Sequence, residues 1–264
     1  MSKLFSPVLA TIAVAVSAVG CLQAAMSLPS GWMVEQTKAQ YTFEGSTTSE
    51  ILANKITGSG LPGIYSLNNW TAKDGTLIAP ASGTYNGLYF GNNGSSALSL
   101  GTNWGVSMSA KVVQSSLTNA GLLQFGEPIG ALYIGNGSLG FRFGNGNDFS
   151  MSLGDSFSYD SFHDYAVSFV GSSLQIWLDG QDITGNLIAP GHSYTWADAV
   201  SSYSEEWTLK RIAYANNVNY IPSLPEGSVL DEVSVYSLQA VPEPATASLS
   251  LLGLAALMAR RRRA

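Results

Sequence analysis

From Gln40 onward apolar and polar residues alternate in short runs, and Gly, Asn, Asp and Ser cut those runs apart. A period of two belongs to strands with one buried and one wet face, so the pattern predicts an all-β chain. Tyr41-Thr42-Phe43 reads as a first short strand. Ser49 to Ile56 could form a helical turn, whereas Leu61 to Ser82 is loop-rich and carries no clear period. Leu88-Tyr89-Phe90 and Ala97 to Leu100 flank a Gly91-Asn92-Asn93-Gly94 turn. In Val106 to Val112 the apolar Val106, Met108, Ala110 and Val112 alternate with Ser107, Ser109 and Lys111, which predicts one buried and one wet face. Gly121 to Phe125, Ala131 to Ile134 and Phe141-Arg142-Phe143 continue as antiparallel neighbours, the last two joined at Asn136-Gly137. Tyr165, Val167 and Phe169 lead through Gly171-Ser172-Ser173 into Leu174, Ile176 and Leu178, which alternate with Gln175 and Trp177 as far as Asp179-Gly180. This is the best-defined hairpin of the chain. Trp207 to Ile212 and Val229 to Leu238 complete the series.

Both ends break the pattern. Lys3, the apolar run Val8 to Val19 and Leu22-Gln23-Ala24-Ala25 read as a secretory signal peptide over residues 1–25. The single cysteine, Cys21, follows Ala18-Val19-Gly20. That run partly resembles a lipoprotein signal, with Ala18 where a leucine is usual, so Cys21 is either a lipidation site or a plain apolar residue near the cut. An ordinary cut leaves a mature chain with no cysteine, hence no disulfide and no thiol chemistry. At the other end Pro242, Glu243 and Pro244 fix two φ angles and remove two backbone donors, so the folded part must stop there. Ala245 to Ala259 is uncharged and apolar all round, and Arg260, Arg261, Arg262 and Arg263 close it with positive charge that stays on the cytoplasmic side. This order resembles the Pro-Glu-Pro C-terminal sorting signal, PEP-CTERM, of Gram-negative bacteria. The resemblance implies export, processing by an exosortase in the inner membrane, and delivery to the cell envelope or extracellular matrix. The other reading of the tail is an ordinary anchor helix, and its length is marginal for that.

The remaining residues, 26–240, suit one β-sandwich domain with a sizeable core. The chain holds 18 acidic and 12 basic residues. Lys3 and the four terminal arginines supply five of the basic ones and lie outside this span, so the domain is more acidic than the whole. Such a surface repels nucleic acid and anionic lipid, so both are poor partners for the domain as a whole. Charged residues are 11% of the chain, against roughly 25% in soluble proteins, so Ser, Thr, Asn and Gly must form a neutral polar surface.

YTFEG at 41–45, HDYAVSFVGSSLQIWLDGQDITG at 163–185 and VLDEVSVYSL at 229–238 together resemble the laminin-G-like, concanavalin A-like family of jelly-roll sandwiches. The resemblance implies an antiparallel two-sheet jelly roll whose last strand pairs with its first. It departs from the family at Asp164-Tyr165, where many members carry a Trp-His pair.

Little in the chain promises catalysis. Gly135 to Gly140 matches GxGxxG, but Phe-Arg-Phe follows instead of a helix, and Asn136-Gly137 makes a hairpin turn the better reading. There is no G-x-S-x-G or H-E-x-x-H, and His163 and His192 have no second histidine at ligand spacing, so neither a serine hydrolase nor a zinc site is expected. Polysaccharide-cleaving jelly rolls need two acids on one face. Glu205-Glu206 and Asp231-Glu232 are adjacent and so point to opposite faces, and Asp179 and Asp182 span a turn. Members of the resembling family often bind calcium, and Asn145, Asn147 and Asp148 make an oxygen-rich loop that is either a calcium site or a turn held by its own side chains. Trp70, Tyr194 and Trp196 lie outside periodic segments and are either platforms for sugar rings or part of the core. The expectation is an exported domain that binds envelope or matrix polysaccharide without catalysis. A polysaccharide-degrading enzyme of the same fold, or a purely structural surface protein, are the alternatives.

Overall fold

The computed structural model describes residues 26–59, 61–65, 67, 69–81, 87–90, 97–114, 119–126, 129–144, 146–203, 206–214 and 221–241. The signal segment with Cys21, Pro242 to Pro244, the apolar tail, Arg260 to Arg263, Asn145, Glu205 and the turn at 91–94 lie outside the described residues.

The expected all-β architecture is present as two antiparallel sheets. The strands are β1 (Trp32–Tyr41), β2 (Thr71–Lys73), β3 (Thr76–Ile78), β4 (Leu88–Tyr89), β5 (Leu98–Ser99), β6 (Trp104–Lys111), β7 (Asn119–Phe125), β8 (Gly130–Gly135), β9 (Ser138–Phe143), β10 (Asp148–Ser152), β11 (His163–Val170), β12 (Ser173–Leu178), β13 (Gln181–Asp182), β14 (Thr208–Ile212) and β15 (Val229–Ala240). Two short helices, α1 (Thr48–Ile51) and α2 (Trp196–Ser201), interrupt them. The larger sheet runs β13-β12-β11-β6-β15-β3-β2, with β1 also against β15, and the smaller runs β10-β9-β8-β7-β14-β4, with β5 also against β14. The last strand does pair with the first, from Trp32 opposite Ala240 to Tyr41 opposite Val233.

The facing rows of the two sheets form the core. Trp104 and Val106 of β6 and Val167 of β11 come from the larger sheet, and Leu123 and Phe125 of β7, Leu132 of β8 and Phe141 of β9 from the smaller one. Trp104 ties the layers together, with its ring 5.3 Å from Phe125, 5.4 Å from Trp207 and 6.1 Å from Phe169. Contacts of this kind each add about 0.5–1.5 kcal/mol beyond area burial.

Several sequence expectations need correction. The first strand is Trp32–Tyr41 and ends where the sequence placed its start. Bulges between Val34 and Gln36 and between Thr37 and Ala39 break the alternation that would have marked it, and Phe43 turns out of the strand with φ of 55°. Within the loop-rich stretch a hairpin, β2–β3, turns on Asp74-Gly75, both at positive φ. Leu88-Tyr89 and Leu98-Ser99 do not pair with each other; both pair with β14.

The wet face expected for β6 is partly covered. Ser107 is 7% exposed, because a second apolar cluster of Met26, Ala166, Val170, Trp177, Tyr236 and Leu238 closes over that outer face, with Leu28, Trp32 and Val34 packed against it. The segment before β1 therefore works as a strap. Met26 is 1% exposed and lies over Gly105, where any Cβ would meet its methyl group at 2.8 Å.

Candidate functional site

Three surfaces carry the polar chemistry of the described residues. The aromatic platform expected from sequence is not among them. Trp70 is 3% exposed and belongs to the core. Trp196 opens α2, whose first turn is fixed by a capping box between Thr195 and Asp198. Its indole N–H donates to the Leu174 carbonyl at 2.8 Å, and its ring meets Phe141, Phe143 and Phe149 edge-on. Tyr194 lies against Phe149 and His192. Trp196 and Tyr194, both half-buried, anchor a loop onto the core beside β9 and β10, and Trp70 is enclosed in the core.

The oxygen-rich loop is also engaged. One Asp148 carboxylate oxygen accepts from the Tyr133 hydroxyl at 2.7 Å and the other from Arg142 Nε at 2.9 Å. Arg142 also lies over the Tyr133 ring, 5.4 Å from its centroid. The Asn147 carbonyl takes the N–H of Phe143. Burial and the Asp148 hydrogen bond push the Tyr133 hydroxyl well above the usual tyrosine range. These contacts bind the Asp148 carboxylate to side chains of its own sheet. Among the described residues no three His, Cys, Asp or Glu side chains converge on a common point for a metal ion.

Next to this network lies the first open surface, a cleft of about 470 Å³ along the edge strand β10. Register places Ser138 opposite Ser152 and Gly140 opposite Ser150, so the three serines share the outer face of the smaller sheet. Ile188 then bridges to Ser150 and extends that edge, with N–H···O bonds in both directions. The wall is completed by Met151, Asn186, Ile188 and Pro190. Ile188 is 63% exposed, an unusual position for so apolar a side chain. Hydroxyls and an amide thus face an apolar ridge; among the described residues no titratable side chain lines the cleft itself, and Tyr133 bonds the lining Ser150.

The second surface is a row of acids on the outer face of the larger sheet. Asp164 on β11 and Glu232 on β15 both pair with Ser109 on β6, so they flank it on one face. Two strand spacings separate their Cα atoms, roughly 10 Å. Sequence spacing could not find this pair, because its members stand 68 positions apart and meet only through the register of a third strand. Glu232 Oε1 accepts from Gln40 Nε2 at 3.1 Å and from Ser234 Oγ at 2.6 Å. Burial raises the Asp164 carboxyl, the Ser109 hydrogen bond opposes that, and the nearby charges of Asp179 and Glu232 raise it further. Asp231, the extra residue of a bulge in β15, is raised by burial and then by Glu232, Asp164 and Glu44.

The third surface is a polar cleft of about 460 Å³ formed by Val113, Gln114, Phe157, Ser158, Tyr159 and Asp160. His163 stacks on Phe157 at 4.2 Å and bonds Asp179 at 2.7 Å and the Ser158 carbonyl at 2.9 Å. It fastens the loop to the sheet.

The described residues end just past β15, where the Val241 N–H donates to the Gly31 carbonyl at 2.7 Å. Beyond it, residues 240–263 match the PEP-CTERM protein-sorting motif. The chain carries this signal at its C-terminus, as its tail resemblance implied, and the motif marks it for export and sorting to the cell envelope or surface. No curated protein matches the chain. Among solved structures, it overlays the binding domain of botulinum neurotoxin serotype D at 13% identity and a TM-score of 0.46, covering 77% of this chain and 48% of that one. A structure of botulinum neurotoxin type C, described with two ganglioside molecules, overlays at 11% identity and a TM-score of 0.49, with 77% and 48% covered. The chain spans about half the length of these toxin domains. The non-specific endo-β-1,3(4)-glucanase SCLam, of family GH16, overlays at 13% identity and a TM-score of 0.45, with 82% and 94% covered. These are likenesses between β-sandwich, jelly-roll folds and extend no further. Among the described residues no helix is long and apolar enough to cross a membrane.

Proposed function

We propose that the chain is an exported, exosortase-processed protein of the cell envelope or extracellular matrix whose sandwich binds a neutral polysaccharide without cleaving it. The observation that carries this reading is the cleft along β10. Ser138, Ser150, Ser152 and Asn186 offer hydroxyls and an amide to sugar hydroxyls, and Ile188 and Pro190 offer an apolar ridge to the C–H face of a ring. A site without a titratable side chain can hold a glycan but has no acid or base with which to cut it. The acidic, low-charge surface also favours a neutral ligand over an anionic one.

A second reading is favoured by Asp164 and Glu232, a carboxyl pair on one face with one member raised. Their spacing is compatible with the wider pair of inverting glycosidases, which admits a water. Both carboxylates are, however, held by hydrogen bonds from Ser109, Gln40 and Ser234 on the same sheet.

Retention of the protein on a panel of envelope and mucin glycans, with reducing ends measured in parallel, separates the two. Non-catalytic binding gives retention without product, and Ile188→Asp lowers retention roughly tenfold while Glu232→Gln leaves it unchanged. Sustained product release that is lost in Asp164→Asn or Glu232→Gln moves the protein to the enzyme class.

A further inference from the structure

The end of the larger sheet where the chain leaves the domain is unlike the rest of the surface. Met33 and Val241 are 41% and 44% exposed. Met33 stands opposite Gln239, and Val241 lies two residues beyond Gln239, so Met33 and Val241 share a face; Trp32, opposite Ala240, is half-buried on the other face. Among the described residues the same end is poor in charge, with only Glu35 after Val34 and the Lys38 ammonium, which reaches the Gly101 turn. Met26 to Val34, the Gly101-Thr102-Asn103 segment, the Gly171-Ser172-Ser173 turn and Val233 to Val241 contain no Asp, Glu, Lys or Arg. The acids collect at the opposite end of the sheet, where Glu232 lies nine residues before Val241, about 30 Å along an extended strand.

We propose that this charge-poor end is a membrane-contacting surface, with Trp32, Met33 and Val241 resting in the headgroup layer of the bilayer while the sorting tail is inserted. This rests on the reading of the tail as a segment that enters the membrane. Chain length limits how far the exit can stand from the bilayer. Val241 is fixed to Gly31 by its N–H, and only Pro242, Glu243 and Pro244 separate it from the uncharged run that starts at Ala245. Four extended residue steps from Val241 to Ala245 reach at most about 14 Å. A headgroup layer is roughly 5–8 Å thick, so the exit cannot stand far outside it. Ala245 to Ala259 is 15 residues, about 22 Å as a helix against a hydrocarbon core of roughly 30 Å. With Arg260 to Arg263 held at the far face, that shortfall pulls the exit closer still. A tryptophan with flanking apolar side chains suits the interfacial layer, and an acidic end would be repelled there.

The test uses the full chain with Cys21→Ser, carrying either Met33→Cys or Gln114→Cys labelled with an environment-sensitive fluorophore. It is reconstituted into phosphatidylethanolamine and phosphatidylglycerol vesicles that contain a headgroup-proximal nitroxide lipid. Both labelled proteins should float with the vesicles. The probe at position 33 should shift to the blue and be quenched several-fold more than the probe at 114, beyond the far end of β6. Flotation with an unquenched, water-exposed probe at 33 overturns the contact surface and leaves the tail reading intact. Failure to float overturns the tail reading and the contact surface with it.

Discussion

Met26 packs its thioether end directly onto the backbone of Gly105, so closely that a Cβ at Gly105 would stand 2.8 Å from the Met26 methyl carbon. The strap before β1 and the centre of the larger sheet are therefore fitted to each other. Gly105→Ala should cost at most about 1 kcal/mol, because the flexible Met26 end can swing aside, and Met26→Ala about 2–3 kcal/mol by leaving a cavity. Because the two share one contact, the double variant should lose less than the sum of the singles. Urea denaturation of the three variants checks this. Strict additivity would show that the strap does not rest on Gly105.

Stability should fall between acidic and neutral pH through Asp164. Its carboxyl is raised in the fold by burial and by Asp179 and Glu232, so the folded state holds a proton that the unfolded state has already released. Stability is then greatest below the unfolded value, near 3.9, and is lost as pH rises through the higher folded value. Asp164→Asn should raise the urea midpoint at pH 7 and leave it unchanged near pH 3, where wild-type Asp164 is protonated in both states. A variant that is less stable at pH 7 would mean that the ionised carboxylate is held favourably after all.

Calcium should not stabilise the domain through the loop at β10. Arg142 and Tyr133 occupy both oxygens of Asp148, and a cation there would have to displace the guanidinium. Asp148→Ala should cost about 1–3 kcal/mol, since it leaves Arg142 without that partner at 16% side-chain exposure. Thermal melts with chelator and with millimolar calcium should coincide. A rise of several degrees in calcium that disappears in Asp148→Asn would restore the calcium reading.

How much of the fold was legible in the sequence depends on the range of the interactions involved. The β11–β12 hairpin was readable because Tyr165, Val167 and Phe169 and then Leu174, Ile176 and Leu178 hold every second position around one glycine turn, and its observed register runs unbroken. The β2–β3 hairpin has an Asp-Gly turn signal at Asp74-Gly75, but its strands are three residues each, too short to display a period. β1 was obscured by its two bulges, each of which reverses the parity of the residues after it. Trp70 and Trp196 lack periodic neighbours because each reaches the core from a loop or a helix start, where aperiodicity and exposure are different properties. The Asp164–Ser109–Glu232 row was out of reach altogether. It exists only once β6 lies between β11 and β15, and no single-strand spacing encodes it.

The mature chain should end just beyond β15. Trp32 pairs with Ala240, and the Val241 N–H is committed to Gly31, so every residue through Val241 belongs to the folded edge and is withheld from a protease that reads extended chain. Pro242 and Pro244 have no N–H with which to continue that pairing. Pro242-Glu243-Pro244 is thus the first stretch whose sequence cannot continue that pairing, next to the surface that would rest on the membrane. Cleavage there, within the matched motif at 240–263, releases a whole domain, whereas a cut two residues earlier would unpair the end of β15. Intact-mass analysis of protein from its native host should find a C-terminus between Val241 and Pro244 and none of Arg260 to Arg263. Deleting the tripeptide should leave the precursor in the inner membrane. A surface-located species that still contains the full tail would show instead that Ala245 to Ala259 is a plain anchor.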